Sequence, residues 1–146
     1  MTNININNNE IFYFDMDGVL ANFHEVKDGW KYAKNYNFIR NLRPFADAVA
    51  TVNALIDAGV EVYISSLCAS EDAKQAKIDW LAQYIPALTL DRIIILVGSG
   101  KKHEHLVTAD GILVDDKASN VKGWRKAGHK AIFVEEKGVI DFSKIE

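Results

Sequence analysis

A chain of 146 residues, 49% hydrophobic and 25% charged, has the size and balance of one soluble globular domain and can bury a full core without disulfide staples. Seventeen basic against twenty acidic side chains leave a net charge of −3, and no Lys or Arg stripe runs along the sequence, which argues against a nucleic-acid duplex as partner. The single cysteine, Cys68, excludes an intrachain disulfide, and no stretch approaches the ~20 apolar residues of a membrane span, so a cytoplasmic protein with no membrane attachment is expected.

The first nine residues are polar and Asn-rich and carry no apolar leader; they are expected to be a frayed lead-in, with Ile4 and Ile6 alternating so that they could extend the first strand. Ile11 to Phe14 is an unbroken apolar run, predicted as a buried strand that ends at Asp15. The stretch from Ala21 to Arg43 is an irregular insert, aromatic and basic (Phe23, Trp30, Tyr32, Tyr36, Phe38; Lys27, Lys31, Lys34, Arg40), expected to form one or two short helices lying over the carboxyl edge of the sheet as a small lid. A helix is predicted from about Pro44 to Ala58, with the proline in its first turn, Gly59 at its end, and Phe45, Val49, Val52 and Ile56 on its apolar face.

Val60 to Ser65 reads as a second strand, followed by a helix that Ser70 can cap and that runs to Tyr84 before Pro86. Arg92 to Val97 and Ile112 to Val114 read as strands three and four, the latter ending at Asp115-Asp116. A helix from about Ser119 to Ala127 closes at Gly128, and Ala131 to Val134 is the fifth strand. Strands alternating with helices predict an α/β fold, a parallel sheet covered by helices, whose ligands bind beyond the carboxyl ends of the strands. Asp15, Ser65 and Asp116 all fall at such ends.

Asp15-Met16-Asp17-Gly18 is the sharpest chemical signal. A carboxylate fixed at the end of a buried strand can attack phosphorus, and Asp17, two residues on, can protonate a leaving alkoxide and later deprotonate water. Gly18 permits close backbone approach, so that N–H groups of the turn could cradle phosphate oxygens. Asp-x-Asp-Gly also occurs as plain turn chemistry, but four preceding apolar residues and the following Val-Leu argue for the site. Adjacent acids such as Asp115 and Asp116 repel unless a cation is near, and with Asp15 and a backbone carbonyl, that of Asp17, they offer the hard oxygens that Mg²⁺ prefers.

A hydroxyl from Ser65 or Ser66 could donate to a phosphate oxygen, although serine is common at strand-to-loop junctions. Lys77 lands in the middle of the apolar stripe Ala73, Trp80, Leu81, Tyr84, where it needs an anionic partner or a route to solvent. Lys74, Lys101 and Lys102 are rivals for the same role, the last two in a Gly98-Ser99-Gly100 loop at the same edge. His103 and His105 read as surface residues, His24 and His129 show no partner, Cys68 reads as an apolar filler, and Trp80 and Trp124 as core.

Asp15/Asp17, Ser65, Lys77 and Asp115/Asp116, in this order, resemble the four motifs of the haloacid dehalogenase superfamily over nearly the whole chain. Asp-Met-Asp-Gly-Val-Leu-Ala-x-Phe at 15–23 and Lys-x-x-Trp at 77–80 most resemble the 5′(3′)-deoxyribonucleotidases and their small phage and bacterial relatives. The resemblance implies a Rossmann-like sheet of order 3-2-1-4-5 and Mg²⁺-dependent hydrolysis of a small phosphorylated substrate, a deoxyribonucleoside monophosphate, through a phosphoaspartate. Phe23 and Trp30 of the insert are the candidate base-stacking residues. The chain departs from that family at Asn22, where Asp is common, and in its shorter insert. Hydrolysis of another ester such as a sugar phosphate, or a catalytically dead relative serving as a binding module, are the alternatives. A dehalogenase would leave Asp17 without a task, and a receiver domain would reverse the order of the acidic motifs.

Overall fold

Strands covered on both faces need apolar residues at every position, and Ile11–Phe14 meets that condition. In the computed structural model, which describes residues 6–146, these residues form β1 at the centre of a five-stranded parallel sheet. The other strands are β2 (Glu61–Cys68), β3 (Ile93–Val97), β4 (Ile112–Asp115) and β5 (Ala131–Phe133), in the order β3-β2-β1-β4-β5 that the family resemblance implied. Ile4 lies outside the described residues, and Ile6 is in no strand.

Four α-helices accompany the sheet: α1 (Tyr36–Arg40), α2 (Ala46–Asp57), α3 (Glu71–Tyr84) and α4 (Ala118–Lys126). Because side chains alternate across a strand, Phe12, Phe14, Val62, Ile64 and Val114 face one way, into a cluster with Val49 and Val52 of α2 and Ala73, Trp80 and Leu81 of α3. Tyr13, Tyr63 and Leu113 face the other way and pack with Val121 and Trp124 of α4. The result is three layers. Both indole N–H groups inside it are satisfied, Trp80 by the Leu42 carbonyl and Trp124 by that of Gly111, each at 2.9 Å. No helix among the described residues is long and apolar enough to cross a membrane.

Two boundaries differ from expectation by more than one residue. Strand β2 runs to Cys68 because Ser65 to Cys68 pair with Ile94 to Val97 of β3, so Ser65 and Ser66 lie within the strand. Helix α2 starts at Ala46, while Pro44 bridges to Ala21 instead of entering the first turn. Its buried stripe is accordingly Ala48, Val49, Val52 and Leu55, with Phe45 and Ile56 at the margin. The insert holds two 3₁₀ turns, Phe23–Glu25 and Gly29–Tyr32, and then α1. It is fastened to α3: Tyr36 Oη donates to Asp79, and the Ser70 hydroxyl, while capping α3, donates to the Lys34 carbonyl at 2.8 Å.

The sheet is crowded where β4 begins. A Cβ on Gly111 would fall 2.5 Å from Tyr13 Cε1, and Tyr13 is fully buried. Gly111→Ala is therefore expected to destabilise the fold by about 1–3 kcal/mol, the usual cost of overpacking. Urea unfolding checks this, and an unchanged midpoint would show that the turn shifts freely away from the ring.

Candidate active site

Continuing the register of β1 on β2, an offset of fifty residues, brings Ser65 level with Asp15. Parity then sorts the polar side chains. Asp15 and Asp115 follow Tyr13 and Leu113 onto the α4 face, whereas Ser66 follows Ile64 onto the α3 face.

Each face supplies a buried lysine. Lys102, only 3% exposed, stands in the 3₁₀ turn Lys102–Glu104 beside α4, and its ammonium donates to Asp15 Oδ1 at 2.8 Å and to Asp115 Oδ2 at 2.7 Å. Lys77, 1% exposed, comes from α3 on the opposite face. It donates to Asp17 Oδ2 at 3.0 Å, Ser66 Oγ at 2.8 Å and the Leu67 carbonyl at 2.9 Å. Those three bonds use every donor of an ammonium, while Lys102 keeps one in reserve. Lys77 thus orients Asp17, and Lys102, a rival in the sequence reading, is the lysine that touches Asp15.

Burial opposes the charge on Asp15, but the ammonium of Lys102, and after it that of Lys77, outweighs burial and holds this carboxyl below the usual carboxylate range. Asp115 has no such margin. Burial, then the charge on Asp15, push it up to about 7 against the pull of Lys102. Lys102 itself is held above the ordinary lysine value, because Asp15 and Asp115 together outweigh its burial. Asp115 is anchored further by the Lys117 N–H at 2.9 Å and by Asn120 Nδ2 at 3.1 Å.

Asp116 is raised by burial in the first place, and its nearness to Asp15 adds to that. Lys137, from the loop after β5, makes a short ion pair with it. The loop is tied down by the Gly138 N–H, which donates to the Gly18 carbonyl at 3.0 Å. Gly18 itself sits at φ +86°, and a Cβ there would fall 2.2 Å from Asp116 Oδ2. Its N–H is taken by the Ala21 carbonyl at 2.9 Å, so what Gly18 contributes is room for Asp116, not the donor expected for phosphate.

Carboxylate oxygens of Asp15, Asp115 and Asp116 lie within 4.8 Å of one another. The four aspartates of the site face three ammoniums, those of Lys77, Lys102 and Lys137. An all-oxygen donor set fits a hard divalent cation such as Mg²⁺.

Around this centre the cleft is lined by Asp15, Asp17, Phe23, His24, Lys102 and Asp116, among others. A smaller cleft beside it is bounded by Phe23, Ala33, Ile39 and Cys68, which places Phe23 at the junction of the two. Trp30 lines neither and is 70% exposed, with the Lys31 ammonium over its ring. His129, expected to be without a partner, meets Asp110 at 2.7 Å. His103 is half-buried against Gly123 of α4. Lys137, Asn120 and His24 went unassigned in the sequence reading because no apolar stripe or motif marks them; only the fold brings them to the cleft over Asp15.

Residues 24–142 match the profile of the family described as 5′ nucleotidase, deoxy (pyrimidine), cytosolic type C protein. No curated protein sequence matches the chain. Lys77, Lys102, Asp115, Asp116 and Lys137 lie inside the matched stretch and Asp15 and Asp17 just before it, so it is the fold that joins the two sets. With most of its length matched and the sheet order of that superfamily, the chain belongs to the cytosolic type C deoxy (pyrimidine) 5′-nucleotidases, phosphomonoester hydrolases of the haloacid dehalogenase superfamily.

Proposed function

We propose that the chain is a Mg²⁺-dependent phosphatase of deoxyribonucleoside monophosphates that acts through an aspartyl-phosphate on Asp15. The observation that carries this reading is the separate handling of two neighbouring aspartates: Lys102 holds Asp15 charged, and Lys77 holds Asp17 by one oxygen only. The other oxygen of Asp17 is buried and has no partner among the described residues.

In the first half-reaction the Asp15 carboxylate attacks phosphorus, the bond from phosphorus to the leaving oxygen breaks, and Asp17 gives its proton to that oxygen. In the second, Asp17 takes a proton from water as the water attacks the phosphoaspartate, releasing phosphate and restoring Asp15. The N–H groups of Met16 and Asp17, which have no backbone acceptor among the described residues, and the hydroxyl of Ser65 are the donors for the phosphate oxygens. Ser66 acts through Lys77. Bound Mg²⁺, held by Asp15, Asp116 and the Asp17 carbonyl with Asp115 in support, supplies the positive charge that lets a carboxylate approach a phosphate dianion.

Phosphate release from deoxyribonucleoside monophosphates, with sugar phosphates in parallel, tests the reading. Chelation is expected to abolish turnover and added Mg²⁺ to restore it; full activity in excess chelator would rule out the metal. Asp15→Asn should remove turnover with every ester. Asp17→Asn should lose about 10²–10⁴-fold on nucleotides, the typical contribution of proton transfer, and recover in part with p-nitrophenyl phosphate, whose leaving group needs no proton. Equal recovery of both variants would reverse the assignment. Base stacking is worth roughly 1–3 kcal/mol, so Phe23→Ala should raise KM for nucleotides about tenfold and leave p-nitrophenyl phosphate unchanged. Trp30→Ala should change neither substrate; a nucleotide-specific loss there would show that the insert closes over the substrate.

A further inference from the structure

Three clefts meet at Leu67: the one over Asp15, the one beside Phe23, and a third, of about 780 Å³, between the Gly98–Lys101 loop and α4. The third has no task in the reaction described above. Its charge sets it apart in an acidic chain. Lys101, Lys117 and Lys126 line it, no Asp or Glu does, and none of these lysines forms an ion pair among the described residues. Along α4, Lys117, Asn120, Gly123 and Lys126 recur at intervals of three and so form one ridge, ~13 Å long at 1.5 Å per residue. Gly123 keeps that ridge low: a Cβ there would fall 2.9 Å from His103 Nδ1. Lys102 and Asn120, which both hold Asp115, line this groove as well as the central cleft, so the two are continuous.

We infer that this groove takes a second phosphoryl group carried by the leaving sugar, so that the preferred substrate class is a nucleoside 3′,5′-bisphosphate. The inference rests on the reading that phosphoryl transfer takes place at Asp15. A nucleotide sugar branches three ways, to its base, to its 5′ oxygen and to its 3′ oxygen, and the clefts that meet at Leu67 offer three matching environments. With the 5′-phosphate at Asp15 and the base against Phe23, the 3′ substituent is directed to the lysine groove. Unpaired ammoniums facing open water attract a phosphate dianion without first breaking an internal ion pair.

The test compares three substrates of the Mg²⁺-loaded full chain: thymidine 5′-monophosphate, thymidine 3′,5′-bisphosphate and the 5′-phosphorylated dinucleotide pTpT. Products are separated to score loss of the 5′-phosphate, and p-nitrophenyl phosphate reports the chemistry alone. The bisphosphate is expected to show a KM about tenfold below that of the monophosphate, a gain that fades at high salt as surface charges are screened. Lys101→Gln/Lys126→Gln should erase this gain and leave monophosphate and p-nitrophenyl phosphate kinetics unchanged. Lys122→Gln, on the same helix outside the groove, should keep it. Equal KM values for mono- and bisphosphate, with p-nitrophenyl phosphate turned over, would overturn this inference and leave the phosphatase reading standing. A gain confined to pTpT would replace the bisphosphate by a strand end. No release from any of the four esters would overturn the phosphatase reading, and this inference with it.

Discussion

The site depends on one electrostatic requirement: carboxylates gathered at the closed end of a parallel sheet must each have a cation. Asp115 is fully buried and Asp15 nearly so, and two such groups side by side repel strongly where little water screens them. Lys102 lies between them and bonds to both. Its own burial would be costly in isolation, and it keeps its charge because the two aspartates surround it. Lysine, carboxylates and strand ends are therefore mutually dependent, and removal of any one leaves a bare charge in the interior.

A division of labour follows from the alternation of side chains. The α4 face of the sheet carries the group that holds Asp15, and the α3 face carries the group that orients Asp17. Two aspartates separated by one residue are thus placed in different surroundings, which is the condition for giving similar groups different roles. The third lysine, Lys137, is more exposed and stands on a loop, in keeping with its partner Asp116 at the open side of the cluster.

Much of this arrangement was legible in the sequence. The run Ile11–Phe14 before Asp15, the run Ile112–Val114 before Asp115, and a lysine centred on an apolar helical stripe are local patterns, and each maps onto what the fold places at the site. Less legible were features set by pairing between distant segments. The length of β2 depends on β3, so Ser65 appeared to end a strand that continues to Cys68. Lys102 sits in a glycine-rich loop with no periodicity of its own, and nothing short of the topology says that it turns inward while Lys101 stays at the surface. Trp30 shows the converse. Aromatic content marked the insert as a place for stacking, but composition alone does not distinguish Phe23, which faces the cleft, from a tryptophan that faces water.

The bonds that set up the two aspartates span long stretches of chain: 87 residues separate Lys102 from Asp15, and 60 separate Lys77 from Asp17. Contacts of such range are costly because the chain must close large loops before they are made. The Lys102 contact closes the larger loop and engages the later segment. A folding intermediate holding β1, β2 and α3 would possess Asp17 in position and still lack the cation that keeps Asp15 charged. Recovery of turnover during refolding thus times the docking of β4 and the Lys102 turn onto β1, and it should lag behind the return of helical signal. The enzyme carries its own clock for the last step of its assembly.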